Sequence, residues 1–381
     1  MGIVRISMLP LMGFLFLPVP ELAISASLPK STLELIEKAK IAPTVLEGID
    51  KELEVPKDWL EKAKKEGRVR VRGTPGVARI EKSIFAPFRE RYPFITLEFS
   101  GTNQEDRAVK TLVAYRSGRI IGDVVHSVSA ALVMYIEAKA AEDLRSIPNW
   151  RNVPEGVKDP DGLWIAPTQS YWCMGYNTKL VKKEDLPKKW EDLLVNPQWR
   201  GGRLAIANRP TQWALQLWKT KGEKWTKDFL TKFFTEVKPQ FRKEGTSTVP
   251  ELLAAGEFHA VIPVSHDEIH ERALKGAPVS FTCPEFVPAP VSETVMLKGT
   301  PNLHAARIYL NWILSKEGQL TAYLVRYATP THKDLQRKEF VPFAEEILGK
   351  ERVVTDARFE QEVLPSLNDF WNRLWLRGEG R

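Results

Sequence analysis

The chain has 381 residues and a formal net charge of +7, and its charged residues are spread along the sequence rather than gathered in one basic block. Because no basic tract is interleaved with stacking aromatic residues, the composition argues against nucleic-acid binding. The length allows about two domains with cores of their own, and the basic balance mildly favours anionic partners.

Residues 1–26 have the pattern of an export signal. Arg5 precedes an apolar run over residues 6–19, and small residues follow it up to Ala26. The run is interrupted by prolines and is shorter than the roughly 20 apolar residues of a transmembrane helix. No cysteine lies near its end to carry a lipid anchor. We therefore predict a signal peptide over residues 1–26 and a soluble periplasmic protein.

The two cysteines, Cys173 and Cys283, have two interpretations. In an exported protein an even pair is compatible with a disulfide, whereas a large core makes one unnecessary. The sequence leaves the question open and slightly favours two buried free thiols.

Residues 27–66 predict an N-terminal helical extension, since Leu33, Ile36, Trp59 and Leu60 recur at helical spacing. Three strand–loop–helix units follow, with strands over residues 69–71, 95–99 and 123–125. Each strand ends in small polar residues directly before a helix. Ligands of open α/β sheets bind at such strand ends, although the same residues also serve as ordinary helix caps and turns.

A second α/β set follows a long extended run over residues 163–176, which predicts a bridge between two lobes. Strands are expected over residues 203–207, 259–264 and 292–297. The proline-rich stretch over residues 283–290 predicts the return crossing. The chain is therefore expected to be α/β throughout.

Six short stretches, in the same order along the chain, resemble extracellular solute-binding proteins of family 1, the ferric-iron, thiamine and spermidine type. They are Glu66-Gly67-Arg68-Val69, Phe88-Arg89-Glu90-Arg91-Tyr92-Pro93, Ser117-Gly118-Arg119 with Asp123-Val124-Val125, Asn196-Pro197-Gln198-Trp199-Arg200-Gly201, Ala254-Ala255-Gly256-Glu257, and Leu310-Asn311-Trp312-Ile313-Leu314-Ser315-Lys316-Glu317-Gly318-Gln319. The resemblance covers roughly residues 67–330.

The resemblance implies a two-lobed type II periplasmic binding protein, in which two crossing strands join lobes that close on a ligand. Lobe 1 is expected over residues 67–168 and 289–381, and lobe 2 over residues 169–288. Such a protein delivers a small anionic or chelated-metal solute to an ABC transporter permease in the inner membrane. It is expected to be a monomer without a cofactor, a resident metal or catalytic activity.

The resemblance also implies which loops face the ligand. In lobe 1 the predicted ligand-binding residues are Thr74, Ser100, Thr102, Asn103, Ser127 and Ser129. In lobe 2 they are Tyr171, Trp172, Arg209, Thr211, Gln212, Thr246, Ser265 and His266.

The chain departs from the ferric members of that family at one place. Those members have a tyrosine pair after the strand that corresponds to residues 260–264, and this chain has Ser265 and His266 there. Bare ferric iron held by tyrosinates is therefore disfavoured, with recruitment of Tyr171 and Tyr176 or a chelated metal as the remaining routes.

A second hypothesis comes from a different class of protein. His266 and His270 have the i, i+4 spacing of a zinc pair, which would suit a secreted zinc-dependent hydrolase. Asp267 stands where the catalytic glutamate of such enzymes belongs, and a charged helix start explains the segment better.

Arg209 gives the sharpest residue prediction. It follows a strand and precedes a helix, a position from which its guanidinium would form bidentate hydrogen bonds to a carboxylate or phosphate. A surface arginine in a turn before Pro210 is the equally weighted alternative.

Overall fold

The computed structural model describes residues 28–376, so the predicted signal peptide lies outside the described residues. Its strands are β1 Arg68–Gly73, β2 Thr96–Gly101, β3 Val124–His126, β4 Thr168–Gln169, β5 Trp172–Asn177, β6 Leu204–Ala207, β7 Gln240–Arg242, β8 Ala260–Ser265, β9 Val279–Thr282, β10 Phe286–Pro288, β11 Thr294–Met296, β12 Thr329–Pro330 and β13 Glu351–Val353. Its α-helices are α1 Lys30–Lys38, α2 Ile49–Glu52, α3 Lys57–Glu66, α4 Pro75–Ile84, α5 Ala86–Arg91, α6 Lys110–Arg116, α7 Leu132–Glu137, α8 Asp192–Val195, α9 Ala214–Lys221, α10 Glu223–Lys232, α11 Thr248–Ala255, α12 His266–Leu274, α13 Leu303–Leu314, α14 Lys316–Arg326, α15 Ala344–Ile347 and α16 Ala357–Leu376.

Two mixed sheets organise the molecule, which confirms the α/β prediction. In the first sheet the order is β11-β3-β1-β2, with β1, β2 and β3 parallel and β11 antiparallel to β3. In the second the order is β7-β6-β8-β5-β9, with β6, β7 and β8 parallel and β5 antiparallel to both neighbours. Every residue of β8 is buried, as expected of a central strand covered on both faces.

Each sheet lies in a hydrophobic core of its own. The first core includes Ile36 and Ile49, so the predicted N-terminal extension is helical and packs on the first lobe. The C-terminal segment was expected in lobe 1, but Val341, Leu367 and Trp371 are buried in the second core. The assignment of the whole 289–381 segment to lobe 1 is therefore corrected for its C-terminal part.

The chain passes between the cores three times rather than twice. It leaves the first core after Ala166 and enters the second at Tyr171, then returns between Ala289 and Val291. The third passage lies between Phe340, which is buried in the first core, and Val341, which is buried in the second. β12, which precedes it, pairs antiparallel with β4. The predicted return segment 283–290 instead contains β10, which pairs with β13, and the crossing follows it. The third passage carries the C-terminal segment to lobe 2.

Cys173 and Cys283 form a disulfide, so the preference for two free thiols was wrong. Cys173 lies in β5 and Cys283 directly follows β9, the strand paired with β5, which brings the two Cα atoms to 5.2 Å. Strand pairing placed the residues within bridging distance, and sequence spacing carried no sign of it. None of the helices described within residues 28–376 has the length and apolar character needed to cross a bilayer.

Candidate functional site

A cavity of about 150 Å³ lies where β1 and β3 end against the crossing segments. Thr74, the residue before α4, and Ser127, the residue after β3, both line it. Thr168 and Ser170 from the first crossing line it as well. We call this space the first-lobe cavity. It has the position that the strand-end argument predicted, beyond the carboxyl ends of parallel strands.

Arg326 supplies the positive charge of the first-lobe cavity. It is the last residue of α14, and its Nη2 donates a hydrogen bond to Thr168 Oγ1 over 3.2 Å. Its Nε is enclosed and has no hydrogen-bond partner among residues 28–376. A buried donor without an acceptor costs about 1–3 kcal/mol, which an anionic ligand would recover.

His126 lies beside Arg326 and remains uncharged. Its Nδ1 is 2.7 Å from Thr294 Oγ1, and its Nε2 is 2.8 Å from Tyr309 Oη. Burial, together with the positive charges of Arg326 and Arg107, lowers the pKa of His126 to about 3. Among the described residues that line the cavity, Arg326 is therefore the only one that is charged at neutral pH.

The loop after β3 is held in an unusual conformation. Ser127 and Ser129 have φ angles of 53° and 48°, in the left-handed region that non-glycine residues rarely adopt. The buried side chain of Arg107 fixes this loop by donating from Nε to the carbonyl oxygens of His126 and Ser127 over 3.2 and 3.1 Å. The loop is thus a pre-organised wall beside the cavity.

A shallow depression of about 10 Å³ marks the second lobe. Trp172, Arg209, Thr246 and Ser265 line it, so four of the eight residues predicted for lobe 2 meet there. Arg209 donates from Nη1 to the carbonyl oxygen of Asn208 over 2.8 Å and has no ion pair with a described residue. Its guanidinium therefore has unused donors. We call this surface the second-lobe depression.

The structure separates the remaining predicted residues from these two surfaces. Eight line neither surface: Tyr171 and His266, which are described next, and Ser100, Thr102, Asn103, Ser129, Thr211 and Gln212. Two of the last six have local hydrogen bonds that account for their polar side chains. Asn103 Oδ1 accepts the backbone N–H of Asp106 and its Nδ2 donates to the Asp106 carboxylate, and Thr211 Oγ1 donates to Gln212 Oε1. These six remain predictions without a cavity to support them.

Tyr171 and His266 are packing residues. Both side chains are fully buried. His266 Nδ1 accepts the backbone N–H of Tyr171 over 3.2 Å, and its Nε2 is 2.8 Å from Thr329 Oγ1. Both ring nitrogens are thus used inside the protein, and burial raises the pKa of Tyr171. The prediction that these two residues contact the ligand is therefore corrected.

The same packing removes the basis of the zinc hypothesis. His266 has no free nitrogen, and the His270 ring packs edge-on against Tyr327 and Phe343 at centroid distances of 5.1 and 5.5 Å. Within residues 28–376, the group whose ligand atoms converge closely enough for one ion consists of Glu52, His332 and Asp334 instead. A zinc pair made of His266 and His270 is therefore not formed.

Sequence reasoning missed Arg326, His126, Thr168 and Ser170. His126 stood at a predicted strand end, and Thr168 and Ser170 stood in the predicted bridge, so their positions were available. Nothing in the sequence marked Arg326, because this last residue of α14 meets Thr168 only in the folded protein, beside the pairing of β12 with β4.

Helix α16 contacts both lobes next to these surfaces. It packs against α7 and the turn Ser129–Ala131 of the first lobe, and against α9 and the turn Pro210–Gln212 of the second. Glu360 of α16 approaches Glu293, whose Oε2 accepts the backbone N–H of Ser129 over 3.2 Å. Burial, and then the charge of Glu360, raise the pKa of Glu293 to about 8.

We expect Glu293→Gln to make stability less dependent on pH. An unfolded glutamate has its pKa near 4.5, so the folded state holds this proton more tightly. The stability that this bound proton contributes is fully present below about pH 4.5. It is lost as the pH rises towards 8, by an amount on the order of several kcal/mol. The variant should melt at a higher temperature than the parent at pH 8, in thermal unfolding curves recorded from pH 5 to 8.5. Parallel pH profiles for the two proteins would contradict this.

Comparison with known proteins supports the architecture. A sequence profile described as bacterial extracellular solute-binding protein matches residues 123–345. Iron uptake protein A2 of Synechocystis is 25% identical over 216 residues, which cover 52% of this chain and 61% of that protein. The chain spans about half the length of the curated relatives it matches.

Two solved structures share the fold. Iron-bound HitA from Pseudomonas aeruginosa has a TM-score of 0.66 at 20% identity, covering 80% of this chain and 99% of that chain. AfuA from Actinobacillus pleuropneumoniae, with fructose-6-phosphate bound, has a TM-score of 0.64 at 21% identity, covering 81% and 98%. The fold is that of the type II periplasmic binding proteins.

Proposed function

Since this chain belongs to the bacterial extracellular solute-binding proteins, we propose that it captures a small organic anion between its two lobes. The observation that carries the proposal is the Arg326 Nε, an enclosed cationic donor without a partner among residues 28–376. Arg209 offers further unused donors from the second lobe. Arginine is suited to this task because its planar fork matches the oxygens of carboxylates and phosphates.

Bare ferric iron fits this site poorly, although some relatives are named for iron. A hard trivalent cation needs anionic oxygen ligands. No carboxylate is among the described residues that line the first-lobe cavity, and its tyrosine, Tyr309, is fully buried with its hydroxyl bonded to His126. Burial raises the pKa of Tyr309, so a phenolate does not form there near neutral pH.

The cellular role follows from the same premise. We propose that the protein is exported to the periplasm, works as a monomer, and passes its ligand to an ABC transporter permease without changing it chemically. The lobes would close on the anion, since binding at a lobe junction favours the conformation in which both lobes touch the ligand.

A thermal-shift screen tests this proposal. Carboxylates, sugar phosphates, amines, ferric chloride and ferric citrate are compared at equal concentration, because a ligand that binds only the folded state raises its stability by mass action, by about 2.7 kcal/mol at 100 times Kd. We expect anions to raise the melting temperature and to be recovered unchanged from the complex. Stabilisation by amines or by ferric chloride alone would overturn the proposal.

A further inference from the structure

The first-lobe cavity has an aromatic wall as well as a charged one. Phe85 lies between Phe99 and Tyr309, with ring centroids 5.3 and 6.0 Å away. All three rings line the cavity, together with Ile84 and Ile313. Because the Tyr309 hydroxyl is bonded to His126, this wall offers a ligand its ring carbons rather than a free polar group. It is therefore suited to an apolar body.

A glycine allows this wall to form. Phe99 packs directly over Gly73, where an added Cβ would come within 2.5 Å of the Phe99 ring. Gly73 ends β1 and is paired with Gly101 of β2, so the ring lies across the sheet edge at the cavity. Gly73 therefore leaves room for an aromatic ring at the cavity.

The cavity volume sets the size of the body. About 150 Å³ is available, and a cavity of roughly that volume lined by apolar side chains accommodates a benzene ring. A sugar of similar size would bring hydroxyl groups against Phe85 and Phe99, where those hydroxyls would lose their bonds to water, and only its hydroxyls on the opposite side could bond to Thr74, Ser127 and Ser170.

The charge of the cavity favours a ligand that carries a single negative charge. Among the described residues that line the cavity, Arg326 is the only one charged at neutral pH. Burial lowers the pKa of Arg326, and the negative charge of Asp267 partly opposes that shift. One carboxylate matches the unpaired Nε of Arg326, and a second negative charge inside the cavity would find no further cation among the described residues that line it.

We propose that the ligand is an amphipathic monoanion, a single carboxylate on a compact body the size of one phenyl ring. The inference rests on the proposed function, and it adds the substrate class. Its carboxylate contacts Arg326, and its apolar body packs among Phe85, Phe99 and Tyr309.

Isothermal titration with a matched series of probes tests the inference. Phenylacetate is compared with acetate, citrate, fructose 6-phosphate, benzyl alcohol and benzylamine. We expect phenylacetate to bind at least ten times more tightly than any other probe. If citrate or fructose 6-phosphate binds and phenylacetate does not, the amphipathic class is overturned while the proposed function stands. If no anion binds, both fail, and equal binding of benzyl alcohol removes the role of the charge.

Two variants address the apolar body. Ala322→Leu fills the cavity that Ala322 lines and should weaken phenylacetate binding at least tenfold, whereas Ala78→Leu on the exposed side of α4 should change nothing. Phe99→Ala enlarges the cavity and should raise the affinity for 2-naphthylacetate relative to phenylacetate. The placement of the apolar body would be overturned if Phe99→Ala left the ratio of the two affinities unchanged, or if both leucine variants lost phenylacetate affinity equally. Melting curves recorded without ligand confirm that each variant folds.

Discussion

Replacing Arg326 with alanine is expected to lower the affinity for the anion selected by the screen at least 100-fold. The side chain has one hydrogen bond, to Thr168, and an enclosed Nε without a partner among the described residues. Removing one member of a buried, hydrogen-bonded charge pair costs about 2–5 kcal/mol of binding. Lysine should restore part of the affinity, because it keeps the charge but loses the planar fork.

The melting temperature without ligand separates binding from structure. Because Arg326 buries a charge that is incompletely paired, its removal should leave that temperature unchanged or raise it. Arg209→Ala should weaken binding less, since Arg209 lines only the shallow depression. Arg116→Ala, an exposed arginine at the end of α6, is the matched control. Full affinity in Arg326→Ala would remove this residue from the site.

Loss of the disulfide is expected to produce the largest change in stability. Cys173 and Cys283 are 110 residues apart, so the bond closes a long loop in the unfolded chain. The chain-entropy argument and measured losses of native disulfides together indicate about 3–5 kcal/mol. The double variant Cys173→Ala and Cys283→Ala should therefore unfold at clearly lower guanidinium concentration than the parent protein.

A reductant provides the control for this experiment. Both cysteines are buried, so reduction should act on the parent protein mainly after unfolding begins. The parent protein unfolded in reductant should approach the midpoint of the double variant, and the variant itself should not respond. Identical midpoints for the oxidised parent and the variant would show that the bond does not stabilise lobe 2.

Local patterns were enough to predict six strands, β1, β2, β3, β6, β8 and β11, together with the N-terminal helices, whereas β7, β9, β10, β12 and β13 were not predicted. Thr74 and Ser127, predicted from strand ends, both line the first-lobe cavity, because the carboxyl ends of parallel strands share one edge of the sheet; their contact with a ligand stays a prediction. Arg326 was not, because its place depends on the pairing of β12 with β4, residues more than a hundred positions apart. The disulfide was missed for the same reason, since β5 and β9 become neighbours only in the folded sheet.

His266 shows the opposite error. Its position after a strand matched a ligand-binding loop, but β8 is central and buried on all six residues, so the following side chain turns into the protein. Burial of that kind depends on the elements packed over the strand end, here Thr329 of β12. Sequence position identified the edge of the sheet correctly but could not distinguish residues facing the cleft from residues facing the core.

Small-angle scattering with and without ligand tests the central claim, that an anion binds between two lobes and closes them. At saturating concentrations of the anion selected by the screen, the radius of gyration should fall for the parent protein and for Arg116→Ala. Arg326→Ala should keep the larger radius at the same concentration. A radius that stays constant while titration calorimetry shows the parent protein to be saturated would contradict binding between closing lobes.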